Sequence, residues 1–254
     1  MSFEATPRRF RPHPRPSPEP ARRPSASILP RGSWSLRWAA LALVISDVAM
    51  VVGLAGRESV LAQPGGPRYV IALLVALAAY LVAAMVVTSG WGSWVTTARR
   101  VGVTVGVITG AMWLLSLAVE TFAGLKGWPN IAVTGPLLLG GFALWGVAAV
   151  RTARRTNSVA AGAFSAVCAA MTCVAITIAL GLALAYLALP RLEHNIDGSP
   201  EYLASGWHNL PAFAIANTLD AAFTHLLLAP VIAALLGTLG ARAARRRRAE
   251  LDPI

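Results

Sequence analysis

Residues Val101–Phe122, VGVTVGVITGAMWLLSLAVETF, form an apolar run about as long as a helix needs to cross a bilayer, with Arg99 and Arg100 at its start. Winding the run at about 100° per residue brings Gly102, Gly106, Thr109, Gly110, Trp113, Ser116 and Glu120 into an arc of about 120°. The opposite face carries Val103, Val107, Leu114, Leu117 and Ala118. A ladder of glycines at every fourth position, topped by a carboxylate, is a seam for another helix, because small residues let two backbones approach closely in lipid. This predicts a helix at the centre of a bundle. Gly102, Gly106 and Gly110 are its helix-packing positions, and the same seam could receive a membrane protein partner or a second copy of the chain.

Composition points the same way. The chain has 254 residues, 56% of them hydrophobic and only 13% charged, with a mean hydropathy of +0.61. The apolar residues come in blocks of about 20 or more, which marks a membrane protein rather than a large soluble core. The net charge of +11 does not indicate nucleic acid, because the arginines cluster at the ends of apolar runs. Of the 22 basic residues only Lys126 is a lysine. Together with the Ala, Gly, Val and Pro richness this fits a GC-rich bacterial genome, and hence a bacterial plasma membrane. Cys168 and Cys173 both fall inside one apolar run, where an i, i+5 spacing turns their side chains apart, so they read as packing residues.

Residues 1–33 hold eight prolines and seven arginines. Such a segment cannot bury a core and reads as a disordered basic arm, partly polyproline II. It is not a signal peptide, since the apolar region begins too late and runs too long. The transmembrane domain is expected over residues 34–240, with spans near 36–56, 69–88, 101–122, 130–150, 158–189 and 211–239. Residues 241–254 form a basic tail. Trp34, Trp38, Trp91 and Trp94 suit membrane interfaces. Pro136 and Gly140-Gly141 predict a bend in the fourth span. The fifth is about 48 Å long as one helix, so it must tilt, break near Gly181 or project from the bilayer. Residues 191–210 form the longest connection, and it is polar.

The tails and the two even-numbered loops hold 18 basic residues, and the three odd-numbered loops hold four. The positive-inside rule therefore puts both termini in the cytoplasm.

Four ionisable side chains fall within spans: Asp47, Glu120, Asp220 and His225. A carboxylate at mid-bilayer costs about 2.5–3.5 kcal/mol on insertion scales, so each should face protein or water. On the last span Asn217, Asp220, Thr224 and His225 share an arc of about 140°. These residues, with Asp47 and Glu120, are the candidates for a polar pathway or pocket. Glu193, His194, Asp197, Glu201 and His208 in the outer loop match no metal-ligand spacing, and a single span histidine does not make a haem site, so no metal or cofactor is assigned. Serine-nucleophile, phosphate-loop and zinc-helix motifs are absent from the sequence, so an enzyme is not the expected reading. The expectation is an all-α membrane protein, a bundle of six transmembrane helices with a disordered basic N-terminal arm. It serves as a permease or permease subunit for an ion or small solute. The alternative is a non-catalytic membrane scaffold or regulatory subunit of a larger membrane complex.

Overall fold

A computed structural model describes residues 32–89, 92–123, 125 and 127–251. The proline-rich arm up to residue 31, Trp91, Lys126 and residues 252–254 lie outside the described residues. The described chain is helical, in the order α1 (Gly32–Arg57), a 3-10 turn (Val60–Ala62), α2 (Gly66–Ser89), α3 (Ser93–Phe122), α4 (Trp128–Thr156), α5 (Val159–Leu187), α6 (Leu189–Ile196), α7 (Pro200–Ser205) and α8 (Leu210–Leu251). Six of these helices, α1 to α5 and α8, are long and apolar enough to cross a membrane. The chain is a multi-pass helical bundle, with no strand among its described residues.

The helix ends follow from local chemistry. Between α4 and α5, Asn157 takes the left-handed conformation at φ 51°, which asparagine tolerates better than most residues. Ser158 then caps α5, its Oγ accepting the Ala161 N–H at 3.2 Å. The fifth span does not break at Gly181. It ends at Leu187, Ala188 leaves the helix, and α6 starts with Pro190 in its first turn. The long polar connection is not an open loop: it folds into α6 and α7. Its Trp207 is buried edge-on against Tyr69 of α2 and Phe213 of α8, at ring-centre distances of 6.3 and 5.8 Å. Pro136 and Pro230 both sit inside continuous helices. The sixth span and the basic tail form one helix, α8, which runs 42 residues to Leu251.

The bundle is organised around α5 rather than α3. Half of α5's apolar window is buried, against 17–33% in the other five spans. The reason lies in its composition: Ala161, Gly162, Ser165, Ala166, Ala169 and Ala170 are small and buried, so neighbours can press against it from several sides. The glycine ladder of α3 packs on it. A Cβ added at Gly102 would lie 2.5 Å from the Ser165 carbonyl oxygen, and one at Gly106 would lie 2.6 Å from that of Ala169. The other long helices use the same device. Gly237 of α8 leaves room for Ala166, and Gly162 of α5 leaves room for Ala241.

Helix lengths define two rims. Arg37 and Arg99, within the first two turns of α1 and α3, and Thr88, in the last turn of α2, mark one rim, and Arg57, Arg68 and Glu120 mark the other. The two rims are about 20 residues apart, or about 30 Å, which is the thickness of a hydrocarbon core. Aromatic side chains mark both: Trp38 and Trp94 are exposed near the Arg99 rim, and Trp128 and Tyr186 near the Arg68 rim.

Candidate functional site

The structure does not gather the six polar pathway candidates into one place. Glu120 is exposed in the last turn of α3, although the rest of its predicted face (Gly102, Gly106, Thr109, Gly110, Trp113 and Ser116) is buried. The next residue, Thr121, is buried, so it is the direction of the Glu120 side chain that exposes it, and the Glu120 carbonyl oxygen is 3.5 Å from the Asn195 side-chain amide nitrogen of α6. Asn217, Asp220, Thr224 and His225 are likewise exposed on α8. The core-facing stripe of that helix is instead apolar: Ala212, Ile215, Leu219, Ala222 and Leu226. Asp220 lies within electrostatic range of Arg68. His225 stands further in, its ring edge-on to Trp113 of α3 at 5.7 Å and its Nδ1 2.7 Å from the Ala221 carbonyl oxygen.

Trp113 belongs to an aromatic cluster with Phe142 and Trp145 of α4, which Gly141 makes room for. Trp145 is completely buried and donates its indole N–H to Thr109 Oγ1 at 3.3 Å.

Asp47 differs from the others. It sits midway along α1, between Arg37 and Arg57, on the buried stripe of Val44, Val51, Leu54 and Ala55. It is 1% exposed, and its Oδ1 has no hydrogen-bond partner among the described residues. A buried carboxylate oxygen left without a partner at mid-depth in a bundle is costly, and such residues usually mark a route or a binding site. Tyr80 of α2 lies within electrostatic range of Asp47. The Tyr80 hydroxyl donates to the Met171 carbonyl of α5.

Tyr80 also lines a cavity of about 290 Å³ between α1, α2, α3 and α5. Leu43, Val44, Ala84, Val103, Met171 and Ile176 give it apolar walls. Among the described residues its one charged lining residue is Arg99, 7% exposed, which donates from Nη1 to the Thr88 carbonyl at 3.1 Å. Arg37 donates from Nη2 to the same carbonyl at 3.4 Å. Two guanidinium groups thus meet at the C-terminus of α2, where the helix dipole favours cations. The cavity runs from this cationic mouth to Tyr80, and Asp47 stands one turn past Val44, a residue of its wall.

Sequence reasoning passed over Tyr80, Arg37 and Arg99. One signal was available for Arg99: extending the glycine face of α3 backwards by two turns runs through Ala98, Arg99 and Val95, all buried. Among the described residues no three of His, Cys, Asp and Glu converge to hold a metal ion. Comparison with protein-family models, curated proteins and solved structures finds no match.

Proposed function

We propose that the chain is a permease, or the permease subunit of a larger assembly, for an ion or small solute. It works in a bacterial plasma membrane with both termini cytoplasmic. The observation that carries this reading is Asp47: buried, at mid-depth, its Oδ1 without a hydrogen-bond partner among the described residues, close to the inner end of a cavity that begins at the Arg99 rim. A carboxylate there can take up a proton or a cation from one side and release it to the other as the helices around α5 shift. The basic residues at the Arg99 rim and in the tails support placing that rim, and the cavity with it, on the cytoplasmic side.

The test is flux into liposomes holding the purified chain and the pH dye pyranine. Proton uptake under an imposed potential is read across a panel of small cations and solutes. Asp47→Asn is expected to abolish any flux the wild type supports while keeping its expression and thermal midpoint. Equal flux from the variant would end this reading.

One observation favours a second reading, a scaffold or regulatory subunit. Thr224 and His225 are exposed inside the apolar length of α8, where a lone copy would turn them to lipid. A helix from another protein would cover them. The α3 seam supports this less, because α5 already fills it from within the chain. Native mass spectrometry of the chain extracted gently from its own membrane separates the readings. A stoichiometric second protein supports the scaffold, and the chain alone supports a self-sufficient permease.

A further inference from the structure

We propose that the cavity between α1, α2, α3 and α5 is a binding site for an anionic lipid of the leaflet at the Arg99 rim. The phosphate head sits on Arg37 and Arg99, and part of an acyl chain lies along the apolar walls. The inference goes beyond the permease reading and stands on the two arginines and the cavity walls. It does not depend on transport.

The argument begins with unspent hydrogen-bonding capacity. A guanidinium offers five N–H donors in a planar fork. Arg99 and Arg37 each place one hydrogen bond on the same Thr88 carbonyl. Neither forms a salt bridge with a carboxylate among the described residues, where the single ion pair is Arg57 with Glu58. The Arg37 Nε is buried with no hydrogen-bond partner among those residues. Removing a cation from water without an anion is expensive, and Arg99 is nine-tenths buried at the cavity wall. An oxyanion that bridges the two forks supplies the missing acceptors and the missing charge in the geometry that guanidinium groups favour.

Position and polarity then choose the ligand. Thr88 is in the last turn of α2, and Arg37 and Arg99 lie within the first two turns of α1 and α3, at the height of a headgroup. Behind them the walls are Leu43, Val44, Ala84, Val103 and Ile176. A free phosphate gains nothing from that surface, whereas the chain of a lipid buries its methylenes there. α1 packs on α2 and α5, and α3 packs on α5, so the cavity lies where α1 and α3 face each other across α5.

The test is lipid retention by the full chain, read by native mass spectrometry after exchange into mixed micelles of phosphatidylglycerol and phosphatidylcholine with the same acyl chains. One phosphatidylglycerol per chain is expected, retained about tenfold over phosphatidylcholine. The double variant R37Q/R99Q is expected to lose that preference. Val103→Trp keeps both arginines but fills the cavity, so it is expected to lose the bound lipid too, and it serves if the double variant does not fold. Millimolar inorganic phosphate is expected to leave the lipid bound, and short-chain phosphatidic acid to displace it. Unchanged retention in both variants overturns the proposal. Displacement by inorganic phosphate overturns it in favour of a simple oxyanion site. Retention seen only after deletion of residues 1–31 overturns it in favour of the chain's own arm as occupant. Lipid retained with normal preference by an Asp47→Asn variant that keeps its flux would remove the permease reading and leave this one standing.

Discussion

Gly106 of α3 lies so near α5 that a Cβ built on it would stand 2.5 Å from the Thr172 Cβ. The contact is backbone against side chain, between two helices that both run the length of the bundle, and neither side can withdraw without opening the whole crossing. Gly106→Val is therefore expected to destabilise the bundle by about 1–3 kcal/mol or more, as overpacking a close helix crossing does. Gly146→Ala is the control, because nothing stands within 4 Å of its missing Cβ. It should leave the thermal midpoint in detergent unchanged or raise it slightly. Equal midpoints for the two variants would contradict the crossing.

Tyr80 bridges α2 to α5 through its hydroxyl and the Met171 carbonyl. Tyr80→Phe keeps the ring and removes the donor. A loss of about 0.5–1.5 kcal/mol is expected, the usual worth of a buried neutral hydrogen bond, read as a lower unfolding midpoint in dodecylmaltoside. If Tyr80 also orders the surroundings of Asp47, flux in the same variant should fall with Asp47 intact.

Glu120 and Asp220 are exposed, and Asp47 is buried. Neutralising Glu120 to Gln or Asp220 to Asn is expected to change stability by no more than about 0.5 kcal/mol and to leave liposome flux at the wild-type level. The same exchange at Asp47 should stop it. Loss of flux at Glu120 or Asp220 would return the route to the outer ends of α3 and α8.

Trp145 is fully buried and Trp128 is 76% exposed at the Arg68 rim. In variants that keep only one of the chain's eight tryptophans, Trp128 or Trp145, brominated lipid should quench Trp128 emission and leave Trp145 emission nearly untouched. Strong quenching of Trp145 would show that α4 does not pack as described.

Orientation is open to a direct test. Cys168 and Cys173 are buried and free, so a membrane-impermeant maleimide should not reach them. Glu201→Cys should be labelled in intact cells, and Arg155→Cys only after lysis. The reverse pattern would invert the proposed topology and place the Arg99 cavity on the outer side.

The sequence by itself was enough for the six spans and for the face of α3 from Gly102 to Ser116, but not for Glu120, which is exposed. Apolar length and glycine spacing act within one helix, and hydropathy and a 3.6-residue period record them directly. Those same signals say that a face is covered but not what covers it. The α3 ladder read as a seam for any helix, and only the tertiary structure filled it with α5, whose small residues are spread around its circumference and carry no single-face pattern. The four residues grouped on α8 share an arc, as their spacing requires, yet that arc turns away from the core because the neighbouring alanine and leucine stripe packs better. Asp47 was visible as a charge in a span. Its isolation beside Tyr80, and the meeting of Arg37 and Arg99 on Thr88, depend on contacts between helices distant in sequence. Such contacts leave no periodic trace in any one helix, and they are decided only when the bundle closes around α5.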